Sequence, residues 1–203
     1  MKKYKNIVTS AKTVVVFKNM LNDKGISALI NLLGCESNNE NEFLKYYSDF
    51  VSALYEKTDD LCQYINELLQ NDENIYVKQS AKGEVSPLIQ NAVENELTFF
   101  EELSKLKCDD LKSIYNSIAL PQWKTGNISV KEEYEKKISV IRTTGYGIYA
   151  THRMFLYKDN EIIPVKYPDP QRLSQMSGYE LERQKVIDNT MALLQGKPCN
   201  NVL

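Results

Sequence analysis

Few residues in this chain have a type and spacing that could do chemistry. Gly145-Tyr146-Gly147 is a GxG without its third glycine. A phosphate loop needs close backbone approach and a helix N-terminus behind it. Here the sequence that follows has strand character, so a turn is expected. His152 is the single histidine and stands beside Arg153. Without a second histidine, a histidine-rich metal site is excluded and a structural role is expected. A small-molecule enzyme using His152 with Arg153 and acidic residues is the weakest expectation. Asp59-Asp60 and Asp109-Asp110 could be acid–base pairs or cation ligands. Each precedes an apolar helical pattern, where a carboxylate caps free backbone N–H groups instead.

Four cysteines stand at 35, 62, 108 and 199, too far apart for a zinc knuckle or a CxxC pair. They are expected to be reduced, mostly buried thiols. Asn127-Ile128-Ser129 matches a glycosylation sequon by chance. Lys131 to Lys137 alternates in sign and is expected to be a solvated helical face. The thirteen tyrosines are expected mostly in core and rim packing, with a partner-binding surface as the functional alternative.

The elements that must position these residues change along the chain. Residues 1–141 hold no arginine and two of the six prolines, with 17 basic and 21 acidic residues. Residues 142–203 hold all four arginines and four prolines, with 8 basic and 6 acidic residues. Two parts are therefore expected, with a boundary near 142. The net charge of -2 argues against a large nucleic-acid footprint. No apolar run approaches the ~20 residues of a membrane span, and the basic start lacks a signal peptide's apolar stretch. No membrane partner and a cytoplasmic location are expected.

The first part reads as a multi-helix bundle. Helical spacing runs over 4–22, with the β-branched trio Val14-Val15-Val16 as a competing strand signal. Further helices are expected over 26–33, 40–56, from Asp59 or Asp60 through Leu69, from Ser86-Pro87 through Leu103, and from Asp109-Asp110 through Ile118. Residues 71–86 are polar and weakly patterned and predict a loop. In the second part, strand-like residues 146–157, a turn at Asp159-Asn160 and Ile162, Ile163 and Val165 predict a hairpin. A proline-rich path over 164–170 and a helix opened by Gly178 and stopped by Gly196 and Pro198 follow. The fold class expected is mainly α, a helical bundle followed by a small β-hairpin and a proline-rich lead-in ending in a helix.

After a helix and a Gly/Pro turn, Asn200-Asn201-Val202-Leu203 begins an apolar run with strand character. That order is the usual approach to a phosphate-binding loop, GxxxxGK followed by Ser or Thr, which would lie just beyond such a strand. The segments Tyr146-Gly147-Ile148-Tyr149-Ala150, Tyr167-Pro168-Asp169-Pro170, Leu173-Ser174, Gly178-Tyr179-Glu180, Asn189-Thr190 and Gly196-Lys197-Pro198-Cys199 carry the argument further. Together with Asn200 to Leu203, this stretch resembles the lead-in of a family of predicted bacterial AAA+ ATPases of unknown function. The resemblance covers about 145–203 and is weaker over 1–144, where that family has a variable helical region. Cys199 stands where a small residue is usual.

The resemblance implies an N-terminal portion of such an ATPase, cut before the nucleotide site. No Walker residue maps onto this chain; Lys197 is followed by Pro198 and no glycine-rich loop precedes it. ATP and Mg²⁺ are implied for the parent protein, none for residues 1–203, which are expected not to be an enzyme alone. Leu173, Gly178, Tyr179 and Glu180 are implied to line the adenine side. The expected partners are the protein's own AAA+ core and an unidentified protein engaged by the helical part. The rival expectation is a free-standing helical scaffold or adaptor with no nucleotide role.

Overall fold

The computed structural model describes residues 4–35, 39–112, 119–175 and 177–200. The chain divides into two compact units, Met1–Thr151 and His152–Leu203. The described residues are mainly helical, with a single two-stranded sheet.

The first unit contains helices α1 (Lys5–Ala11), α2 (Lys24–Gly34), α3 (Glu40–Tyr55), α4 (Leu61–Asn71), α5 (Ile75–Lys82), α6 (Pro87–Ser104), α7 (Cys108–Lys112), α8 (Val130–Thr144) and α9 (Ile148–Thr151). Helix α2 packs on α3 and α1, and α8 lies against α4, α5 and α6. One core joins them, built on Phe17, Leu29, Phe43, Phe50, Phe100 and Tyr134, each buried. Edge-to-face rings tie distant segments: Phe17 meets Phe100 at 5.7 Å and Tyr134 at 5.3 Å.

Several helix starts follow the expected chemistry. Asp60 Oδ1 accepts from the N–H groups of Cys62 at 2.8 Å and Gln63 at 3.1 Å, capping α4. Pro87 occupies the first turn of α6. Asp23 caps α2 and also accepts from Tyr64 Oη at 2.6 Å. That contact requires glycine at 25, since a Cβ there would stand 2.5 Å from the same phenol oxygen.

Several expectations change. The helix expected over 4–22 stops at Ala11, and a 3-10 helix occupies Lys18–Asn22. Between them Val14-Val15-Val16 is neither helix nor strand, because the backbone N–H groups of Val15, Val16 and Phe17 all donate to the Glu96 carboxylate. The loop expected over 71–86 contains α5. Asn74 caps it through the Val77 N–H at 3.0 Å, and Gly83, at φ 79°, ends it. The strand expected over 146–157 is a helical turn, α9, followed by a strand only from Phe155. Gly145 and Gly147 both have positive φ, and Tyr146 and Gly147 carbonyls accept turn hydrogen bonds from Tyr149 and Ala150 at 3.2 Å. Finally, α7 begins at Cys108, so Asp109 and Asp110 lie inside its first turn rather than before it. The continuation through Ile118 lies outside the described residues.

The alternating run on α8 is only partly a solvated face. Lys136 pairs with Glu133 at 2.6 Å, while the half-buried Lys137 donates to the Gln70 carbonyl at 2.6 Å.

Helix α6 also secures the start of α8. Glu101 accepts from the Lys131 N–H at 3.1 Å and from Lys105 Nζ at 2.7 Å. Burial alone would raise the Glu101 carboxyl. Lys105 and the N–H groups of Lys131 and Val130 outweigh it, and the group sits below its ordinary value. A carboxylate held low stabilises the fold above its unfolded pKa, and that contribution is lost as pH falls through the lowered folded value. Glu101→Gln is therefore expected to cost about 1 kcal/mol at pH 7. The gap from the parent should narrow below about pH 4, when the free carboxylate titrates. Urea denaturation across pH checks this.

The second unit is a hairpin and a helix. Strands β1 (Phe155–Lys158) and β2 (Glu161–Pro164) pair antiparallel, with Leu156 opposite Ile163 and Tyr157 opposite Ile162. The turn residues Asp159 and Asn160 both take positive φ, as a two-residue hairpin loop requires. A 3-10 turn, Leu173–Gln175, precedes helix α10 (Glu180–Leu194). Gly196, at φ 66°, ends α10. The N–H groups of Gly196 and Lys197 return to Leu193 and Ala192 carbonyls at 3.0 and 2.9 Å, a Schellman closure. The strand expected at 200–203 lies outside the described residues beyond Asn200.

Among the described residues no helix is long and apolar enough to cross a membrane. Cys35, Cys62 and Cys108 are buried free thiols, and Cys199 is exposed.

Candidate functional site

The residues singled out by resemblance lie where the second unit turns into α10. Leu173 begins the 3-10 turn, Gly178 and Tyr179 lie between that turn and the helix, and Glu180 is the first helical residue. Gly178 (φ 83°) and Tyr179 (φ 58°) are both left-handed. Glycine takes that conformation freely, but a bulky side chain rarely does. Nothing approaches Gly178 closely, so its conformation and not crowding explains it. The Tyr179 ring is thereby presented 81% exposed.

Leu173, Gly178 and Tyr179 share a cavity of about 260 Å³ with Glu182, Arg183 and Val186. Glu180 does not line it. Arg183 holds the cavity closed at one side: its Nη1 donates to the Leu173 carbonyl at 3.1 Å, joining helix to turn. Arg183 and Val186 were not read from sequence as site residues. Their signal is helical spacing, because 182, 183 and 186 fall on one face of α10, just after the N-cap Tyr179.

Asn189 makes a second clamp. Its side-chain amide donates to the Asn200 carbonyl at 2.7 Å and accepts from the Asn200 N–H at 2.8 Å. That two-point pairing fixes the chain leaving α10 against the helix.

The cavity offers apolar walls from Leu173 and Val186, an aromatic ring, and one charge of each sign. That suits the face of a flat, mostly apolar ring. It does not suit phosphate or Mg²⁺. No glycine-rich loop adjoins it, and among the described residues no cluster of three His, Cys, Asp or Glu is placed to hold a metal ion. The expected candidates elsewhere have structural roles. Asp59 pairs with Lys124 at 2.6 Å and Asp60 caps α4. The helix after Gly147 is four residues long, too short to present an anion site.

The surface around the cavity is unusual. No described residue of 152–200 is buried. Thirteen of the twenty exposed large hydrophobic residues among those described lie in this unit, including Tyr157, Tyr167, Tyr179, Leu181 and Leu194. Successive cross-strand pairs point to opposite faces. Leu156 with Ile163 and Tyr157 with Ile162 therefore make both hairpin faces apolar.

One family model matches. It is described as a protein of unknown function (DUF815), a family of uncharacterised bacterial proteins, and it covers residues 150–203. No curated protein and no solved structure matches the chain. The match falls on the hairpin, the cavity and α10, and leaves nearly all of the helical unit outside it.

Proposed function

We propose that residues 152–203 are the lead-in to an AAA+ nucleotide-binding core, and that the helical unit is its regulatory or partner-engaging N-terminal domain. The observation that carries this reading is the coreless second unit. A two-stranded hairpin is marginal by itself and needs a surface to cover it. Apolar patches of this extent on a soluble chain mark interaction sites. A core packed on both hairpin faces and around α10 would supply that cover. The family match over the same residues, and the resemblance of Tyr167 to Pro170 and Gly178 to Glu180 to such lead-ins, support it.

In this reading residues 1–203 are not catalytic alone. The cavity edged by Leu173, Gly178 and Tyr179 faces the base of the nucleotide, with Glu180 beside it at the helix start. Phosphates and Mg²⁺ are held by the core. In this reading the protein is cytoplasmic, where its four free cysteines would stay reduced. The test reads the coding sequence past Leu203 for a GxxxxGK loop followed by Ser or Thr and, where one follows, measures ATP binding by the chain extended through it. A helical adaptor with no nucleotide role would show no binding.

A further inference from the structure

Helix α10 holds the chain on both sides of itself, and it does so without a core, since no described residue of 152–200 is buried. Near its start, Arg183 Nη1 donates to the Leu173 carbonyl at 3.1 Å. Past its end the left-handed Gly196 turns the chain, and Asn200 comes back to the helix at Asn189. There the Asn189 amide donates to the Asn200 carbonyl at 2.7 Å and accepts from the Asn200 N–H at 2.8 Å.

That exchange copies a neighbouring strand. In an antiparallel sheet, two hydrogen-bonded residues trade N–H and C=O with each other. The Asn side chain carries an amide donor and acceptor side by side, so Asn189 acts as a one-residue strand partner. It commits both backbone groups of Asn200 to α10. The helix therefore sets the direction in which the chain leaves Asn200. Both clamps sit on one rigid element. At 1.5 Å per residue, Arg183 and Asn189 lie about 9 Å apart along its axis. The Leu173 side of the cavity and Asn200 are thus referred to the same frame.

We propose that Asn189 is a positioning residue of the nucleotide site: through Asn200 it aligns the chain entering the core with the cavity edged by Leu173 and Tyr179. The inference rests on the lead-in reading given above and adds the residue that sets the base side and the phosphate side to one another. A ligand held at two places binds well when both are already set at its length; otherwise the cost of ordering them is subtracted from affinity. A nucleotide with its base beside Tyr179 and its phosphates on the core is such a ligand.

The test substitutes Asn189→Leu, which keeps nearly the same size, removes both polar groups and favours helix. In the 203-residue chain, NMR hydrogen exchange at the Asn200 amide is expected to become several-fold faster. In the chain extended through a following GxxxxGK loop, the variant should bind a fluorescent ATP analogue about five- to tenfold more weakly, the scale of one or two neutral hydrogen bonds. Adenosine, which reaches only the base side, should compete equally well in variant and parent. Gln184→Leu removes an amide that bonds Asp188 within α10 and should change none of these readouts. Circular dichroism verifies that both variants are folded. Asn200 exchange indifferent to Asn189→Leu, an unchanged affinity for the ATP analogue, an equal loss for adenosine, or an equal loss in Gln184→Leu would each overturn the proposal and leave the lead-in reading standing. An extended protein that folds and binds no ATP overturns the lead-in reading and this inference with it.

Discussion

Glu96→Ala is expected to destabilise the helical unit by about 3–5 kcal/mol, the cost of removing one partner from a buried charged contact. Glu96 lies mid-helix on α6, only 5% exposed. Its two oxygens accept from Val15 at 2.9 Å, Val16 at 3.1 Å and Phe17 at 2.9 Å. These are three successive N–H groups in a segment that has left α1 and not yet entered the 3-10 helix. They have no helical carbonyl to use, and the carboxylate replaces it. A hydrogen bond to a charged acceptor contributes about 1.5–3 kcal/mol, and an unmet buried donor costs about 1–3. The contributions are not additive, but their scale approaches the whole stability of a small domain, about 5–15 kcal/mol. Glu96→Gln keeps one carbonyl oxygen but turns an amide NH₂ toward an N–H, so its loss should be smaller than that of Ala. Urea denaturation followed by tryptophan fluorescence measures both, because Trp123 is the single tryptophan and is buried in this unit. A change below about 0.5 kcal/mol, the size of an ordinary surface substitution, would show that the three donors find other partners.

Trp123→Ala is expected to cost about 3–5 kcal/mol, the range for deleting a large buried aromatic. Trp123 sits in the irregular segment after Pro121, yet it is 6% exposed. It stands edge-on to Phe50 at 5.0 Å and tilted to Tyr47 at 5.6 Å, and its indole N–H reaches the Leu106 carbonyl at 3.4 Å. The segment is strapped down on both sides of it. Tyr55 and Tyr47 hydroxyls donate to the Gln122 and Pro121 carbonyls. Lys124 exchanges backbone bonds with Asp59 at 2.8 Å and Leu61 at 2.9 Å. Removing the indole empties a site that this strapping keeps from collapsing, so the cavity cost persists. Trp123→Phe should lose less. Denaturation followed by circular dichroism checks the pair, since the Ala variant has no tryptophan to report.

The two residues with these large effects were the least legible in the sequence, for different reasons. Glu96 looks like a polar position on an amphipathic helix, and its partners lie about 80 residues earlier in the chain. No local pattern marks a contact of that separation. Trp123 follows a proline in a stretch without periodicity, so its burial had no pattern to appear in. Helix α5 was missed because so little of it is core: only Val77 and Ser80 are buried. Its real markers were punctuation, Asn74 before it and Gly83 after it. Helices with a broad apolar stripe were plain, and so were α4 with its aspartate cap and α6 with its Ser-Pro start. The hairpin turn was legible because Asp159-Asn160 tolerates positive φ, which few other pairs do.

The cavity of the second unit shows the same division. Leu173, Gly178 and Tyr179 came from the order of short segments and not from any chemistry of their own. Nothing in the residue types says that Arg183 would bridge back to the Leu173 carbonyl. The bareness of the unit was not legible at all. A sequence with Leu156, Tyr157, Ile162, Ile163, Leu181 and Leu194 reads as core-forming, and only the structure reveals that these side chains find no core within their own unit.

The most direct test of the proposed lead-in is titration of a fluorescent ATP analogue, with Mg²⁺, into two proteins. One is the 203-residue chain. The other is the chain extended by about 200 residues of whatever coding sequence follows Leu203, a typical further domain length. The account predicts saturable binding by the longer protein, weakened by Tyr179→Ala, and no saturable binding by the shorter one. A longer protein that folds and binds no ATP would contradict it.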